Sequence, residues 1–107
     1  MSELTLKELM PGAWQAEKEI SIKKADVGLN PSDATADQLI AALVIKAREK
    51  MTKERFDTVY EQKVYITDGF DGFITKNNGT KDVQHVERQM VIHLTLPDDA
   101  TLNPNDY

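Results

Sequence analysis

The most regular pattern in the chain lies between Ala36 and Met51, where Ala36, Leu39, Ile40, Leu43, Val44, Ala47 and Met51 recur at helical spacing. That spacing puts them on one stripe of an α-helix, which needs a sheet or another helix to cover it. The helix is predicted over Ser32–Lys50. Two starts compete: Asn30-Pro31-Ser32-Asp33 offers capping oxygens and a first-turn proline, while Thr35 and Gln38 have the spacing of a capping box. Lys46, Arg48 and Lys50 fall at the other end, where cations complement the helix dipole. Ile45 lies nearly opposite the stripe, with Ala41 and Ala42 nearby, so the helix is apolar on a second side.

The second half alternates with a period of two. Val86, Arg88, Met90, Ile92, Leu94 and Leu96 share one face of a predicted strand, and Glu87, Gln89, Val91, His93 and Thr95 share the other. Upstream, Asn78-Gly79 tolerates the positive φ of a tight hairpin, so Phe73 to Lys76 is expected to fold back on the long strand. Tyr60, Gln62, Val64 and Ile66 mark a further strand from about Thr58 to Thr67, and three strands in a meander is the economical arrangement.

The first thirty residues are less regular. Thr5-Leu6-Lys7-Glu8 resembles a capping box, but Pro11-Gly12 ends any helix after about two turns, leaving a short hook. Trp14, Ala16, Lys18, Ile20 and Ile22 alternate against Gln15, Glu17, Glu19, Ser21 and Lys23, which fits a strand. Together these elements predict an α+β domain over residues 1–97: one main helix packed on an antiparallel sheet of about four strands. Residues 98–107, with Pro97 at the junction and Pro104 within, read as a flexible acidic tail.

Composition narrows the chemistry. The chain has 107 residues, no cysteine, and 13 Lys+Arg against 18 Asp+Glu for a net charge of -5. A disulfide scaffold, a thiolate zinc site and a cysteine nucleophile are excluded. Three acids and no base fall in residues 98–107, so residues 1–97 carry 13 - 15 = -2 and form a nearly balanced body. The start, Met1-Ser2-Glu3-Leu4, has no basic segment and no long apolar run follows, so neither a signal peptide nor a membrane contact is expected, and a cytoplasmic location is the default.

Several residues invite a functional reading. His85 and His93 share strand parity but stand roughly 26 Å apart on a continuous strand, too far to share a metal, and no metal ligand or cofactor is assigned. His85 and Glu87, at i and i+2, are expected on a solvated strand face, the alternatives being a hydrogen-bonded pair or two ligands of a site completed from elsewhere. Arg88 beside them suits a place at the sheet margin or an internal acid such as Glu61, the alternative being a carboxylate or other anionic ligand. None of Ser2, Ser21 and Ser32 sits in a nucleophile elbow, and no catalytic residue is assigned. Asp68-Gly69-Phe70-Asp71-Gly72-Phe73 lacks the calcium-loop spacing and reads as a structured connection, with Phe70 and Phe73 dipping toward the core or one of them forming an aromatic contact. Lys46, Arg48, Lys50, Lys53 and Arg55 form the densest basic stretch, explained by dipole compensation and solubility.

The leading expectation is a small non-catalytic protein–protein interaction or regulatory domain, with a protein partner or a second copy of itself, through Ile45, Phe70, Phe73 and the open sheet edges. The alternatives are a small-ligand binder or small enzyme using His85, Glu87 and Arg88, and nucleic-acid binding through Lys46–Arg55, which the acidic balance disfavours. No small-molecule ligand is specified.

Overall fold

The computed structural model describes residues 3–97 and 102–107. It is a mixed α+β chain with a small helical body from which a two-stranded β-ribbon projects. In chain order the body contains α1 (Leu6–Leu9), β1 (Trp14–Gln15), β2 (Ile20–Ser21), a 3-10 turn (Lys24–Val27), α2 (Ala36–Lys50) and α3 (Lys53–Thr58). The ribbon contains β3 (Val64–Asp68), β4 (Gly72–Asn77), β5 (Asp82–Glu87) and β6 (Met90–Leu94), and a second 3-10 turn spans Pro104–Asp106.

Both expected capping boxes form. Thr5 Oγ1 accepts from Glu8 N–H (3.1 Å) and Glu8 Oε1 from Thr5 N–H (3.1 Å), which starts α1 as the expected hook. Thr35 and Gln38 repeat the arrangement at the start of α2. The helix therefore begins at Ala36 rather than Ser32, because the box satisfies two orphan backbone donors that the Ser32 start would leave to a single side chain. Beyond Met51, Thr52 caps a separate short helix, α3, that the expected single main helix did not include, and α2 is the longest helix among the described residues.

The expected four-stranded sheet and meander are replaced by three separate two-stranded pairings. Trp14–Ile22 is not one strand, since Ala16 and Glu19 close a turn that folds β1 back on β2. The segment Thr58–Lys63 is the end of α3 and a turn, so the third strand starts only at Val64. β3 pairs with β6, and β4 pairs with β5 across a bend in which Gly79 has φ 103°. The hairpin expected at Asn78-Gly79 is present. Asn78 Oδ1 stabilises it by accepting from Thr80 N–H and Lys81 N–H.

The helices pack on one end of this ribbon. Both α2 and α3 lie against β3, and α1 lies against α2, where Lys50 Nζ donates to Glu8 O (2.7 Å). The buried apolar residues are Met10, Ala13, Ala42, Val59 and Ile66. Among them sits Gln62, whose Oε1 accepts from Leu4 N–H and Arg55 Nε, and whose Nε2 donates to Val64 O (3.0 Å). It joins the N-terminal segment, α3 and the start of β3. On the other side of β3, Phe56 packs on Tyr65 (centroids 4.6 Å apart) and Tyr65 stacks on His93 (4.1 Å), with Lys53 over the first two rings.

The expected helical stripe is covered only at its C-terminal end. Leu43, Val44, Ala47 and Met51 are half-buried, whereas Ile40 is 61% exposed and Ala42, from the second apolar side, is the buried residue of the helix. No sheet layer spans α2, and it lies near the 3-10 turn Lys24–Val27, which leaves Leu39 and Ile40 exposed. Among the described residues, no helix is long and apolar enough to cross a membrane. The expected flexible acidic tail falls partly outside the described residues; within them, Asn103 caps the turn at Pro104–Asp106.

Candidate interaction site

The register of the two ladders locates a bulge at the middle of the ribbon. In β3–β6 paired residue numbers sum to 158, as for Val64 and Leu94, and in β4–β5 they sum to 159, as for Gly72 and Glu87. Gly69 N–H still donates to Gln89 O (2.9 Å), so the first register reaches Gly69 and the extra residue lies in Phe70-Asp71 opposite Arg88. The expected strand from Val86 to Leu96 is accordingly split at Arg88-Gln89. The two ladders are successive halves of one ribbon: residues 64–77 at about 3.3 Å each reach about 45 Å, in a molecule 52 Å long.

Six polar side chains brace the bulge and its approach. Asp71 Oδ2 accepts from Arg88 Nη1 (3.0 Å), and its Oδ1 from Gln89 N–H (3.2 Å). Gln89 Nε2 donates to Glu87 Oε1 (2.9 Å), and Arg48 of α2 pairs with Asp68. A Cβ on Gly69 would sit 2.9 Å from Gln89 Cβ, so the strands approach too closely there for any other residue without displacement.

Beyond the bulge, no third strand or helix packs extensively on β4 or β5 among the described residues. That lack of a covering layer corrects the expected placement of the aromatic string. Phe70 is 90% exposed and Phe73 is also exposed; neither dips toward the core, because the bulge turns Phe70 outward and the hairpin has no layer behind it. Phe73 faces Val86 across the ribbon, and Val86 is exposed as well. Ile45 stays 54% exposed: the N-terminal hook reaches α2 at Lys50 and does not cover it.

The structure does not assemble the polar candidates into a pocket. His85 and Glu87 share a face by parity, but His85 Nδ1 contacts Val83 O (3.0 Å) and Glu87 bonds Gln89. Arg88 points from the opposite face to Asp71, not to Glu61. Among the described residues, no three His, Asp or Glu side chains converge as a metal site would require. The basic stretch is occupied internally: Lys46 pairs with Glu49, Arg48 with Asp68, Lys53 with Asp57, Lys50 bonds Glu8 O, and Arg55 bonds Gln62.

One site is not evident from the sequence pattern. β6, Met90-Val91-Ile92-His93-Leu94, carries no charge, and Val91, Ile92 and Leu94 are all exposed although they lie on both faces of the ribbon. Its alternation is visible, but alternation reads the same whether a strand is covered by its own chain or by another. The chain matches no protein-family model, and no curated protein or solved structure is detectably similar to it.

Proposed function

We propose that the chain is a non-catalytic protein–protein interaction module whose working element is the projecting β-ribbon. The observation that carries this reading is the distribution of large apolar side chains. Phe70, Phe73 and Val86 of the outer ribbon are each more than half exposed, whereas among the described residues the buried apolar side chains are four in the body and Ile66 of β3, where the ribbon joins it. Scattered exposed apolar residues are ordinary, but a projecting element with aromatic anchors and no layer behind it is the form an interface takes before its partner arrives.

The ribbon is also anchored well enough to present those anchors. The bulge is fixed by the Asp71, Arg88 and Gln89 bonds, and β3 is held by both helices. A binding surface gains from such rigidity because less ordering entropy is lost on association.

The test is crosslinking of the full-length protein in source-cell extract, beside a Phe70→Ala/Phe73→Ala double variant. Crosslinks concentrated on residues 64–94, lost in the variant while its melting temperature is unchanged, support the reading. Crosslinks that ignore the ribbon, or none at all, overturn it.

A further inference from the structure

We propose that β6 pairs antiparallel with β6 of a second copy of this chain, about a two-fold axis at Ile92. This pairing rests on the interaction reading of the ribbon and adds a second copy as a partner for its inner half, apart from the Phe70 and Phe73 anchors.

The backbone supplies the first reason. Thr95 N–H donates to Lys63 O and Gly69 N–H to Gln89 O, which fixes the hydrogen-bonded pairs of the β3–β6 ladder as every second residue from Lys63 and Thr95. Val64 with Leu94, Ile66 with Ile92 and Asp68 with Met90 are then the intervening pairs, whose N–H and C=O groups turn outward. On the β3 side, the outward Ile66 N–H is taken by Met51 O (2.8 Å) at the end of α2. On the β6 side, no described residue bonds the outward groups of Met90, Ile92 or Leu94. Among the described residues β6 is a free edge, and β3 is not.

The side chains supply the second. Free edges are ordinarily blunted by a charge, a proline or a bulge, and Met90–Leu94 has none of these. The bulge of this ribbon lies on the opposite strand. A two-fold axis at Ile92 sets Met90 against Leu94 of the second copy and Ile92 against its own counterpart on one face. On the other face it sets Val91 against His93. About six backbone hydrogen bonds then form between the strands, and no charged side chain faces another within the paired segment. A strand that sets no like charges against itself about a two-fold axis can pair isologously with a second copy, and in a protein of net charge -5 an uncharged edge is where two copies meet with least repulsion.

The surface area supplies the third. The chain exposes 8505 Å², where a compact 12.1 kDa monomer exposes about 6,000 Å². Its radius of gyration is 16.8 Å against about 13 Å for a compact chain of this length. The surplus of about 2,500 Å² belongs to the whole elongated molecule, outer hairpin included, and exceeds the roughly 800 Å² each partner gives up in a standard interface. Pairing through β6 joins the two body ends of the ribbons into a sheet in the order β3, β6, β6, β3.

The experiment is light scattering of the full chain from low to high micromolar concentration, with two substitutions at Ile92. Wild-type protein is expected to approach twice 12.1 kDa. Ile92→Lys places two like charges on the axis and is expected to weaken association by about a hundredfold, with the melting temperature at limiting dilution unchanged because Ile92 is already 49% exposed. The chain has no native cysteine, so Ile92→Cys provides a single thiol that lies against its own copy at about 5.5 Å between Cα atoms, within disulfide range. It should crosslink rapidly on mild oxidation, while Ile45→Cys, similarly exposed, should not. A monomer at every concentration overturns the inference, as does a dimer that survives Ile92→Lys and fails to crosslink through Ile92→Cys. In extract, a monomer whose ribbon still crosslinks to other proteins loses only this pairing; a monomer with no ribbon crosslinks loses the interaction reading too.

Discussion

The body and the ribbon follow opposite rules within one short chain. In the body, each polar group drawn inside is answered: Gln62 is 3% exposed and its amide bonds the N-terminal segment, α3 and β3. Val59 is buried too, as is Ile66 at the root of the ribbon, where the helices cover β3. In the outer ribbon the backbone is equally well paired, yet Phe70, Phe73 and Val86 are left to solvent. Hydrogen bonding alone can therefore define a shape that hydrophobic burial does not complete. An isolated two-stranded hairpin is marginal in water, so the outer ribbon depends on its anchorage at the bulge and on whatever covers its apolar face.

The sharpest way to break this comparison is to make the same type of cut on both sides. Ile66→Ala removes a buried side chain between the helices and the ribbon and is expected to cost about 3 kcal/mol. Phe73→Ala removes a larger side chain from the solvent-facing ribbon and should change monomer stability by no more than about 0.5 kcal/mol. Chemical denaturation of the two variants at a concentration where the protein is monomeric checks both values. If Phe73→Ala costs as much as Ile66→Ala, the outer ribbon belongs to the folding core after all.

How much of this was legible in the sequence depends on where the information resides. Capping is local, so Thr5 with Glu8 and Thr35 with Gln38 announced two helix starts correctly, and Asn78-Gly79 announced the hairpin. Alternation from Val86 onward also announced β structure. It could not reveal the split at Arg88-Gln89, because the extra residue that shifts the register lies on the opposite strand, at Phe70-Asp71. Apolar periodicity in α2 and β6 was read as burial within the chain. Periodicity records only that a face is apolar, and Ile40 and Ile92 show that such a face need not be covered by its own chain. Open sheet edges are therefore expected from the sequence without any sign that β6 is the one left bare, and Arg88 and Phe70 stand out in it without the partners or exposure that define their roles.

A smaller effect is expected where the two regions join. Gly69→Ala brings a Cβ to 2.9 Å from Gln89 Cβ and 3.4 Å from the Gln89 carbonyl carbon. The strands must spread, at a cost of about 1 to 2 kcal/mol in the range typical of overpacking. Because Asp71 holds Gln89 N–H and Arg88 from the same bulge, the loosening should travel outward. Amide exchange should accelerate across β4 and β5 and remain nearly unchanged at Val59 and Ile66. Equal acceleration in both regions would show that body and ribbon open together.

The smallest expected effect separates two helix starts inside the body. The Thr5–Glu8 and Thr35–Gln38 boxes have the same geometry, but only the first contains a titrating group. Hydrogen bonds from the Thr5 backbone and side chain hold the Glu8 carboxyl below its ordinary value of 4.5. A depressed carboxyl stabilises the fold fully above its unfolded value, and that contribution is lost as pH falls through the lower folded value. Acidification should therefore loosen α1, and with it the contact between Glu8 O and Lys50, before it affects the start of α2. Amide exchange measured as pH falls below 4.5 should show faster opening near Glu8 than near Gln38. In Glu8→Gln the side chain can still accept from Thr5 N–H, as Gln38 does from Thr35, so the difference in acid response should vanish while the helix start remains. An acid response that persists in Glu8→Gln would place its origin elsewhere in the body.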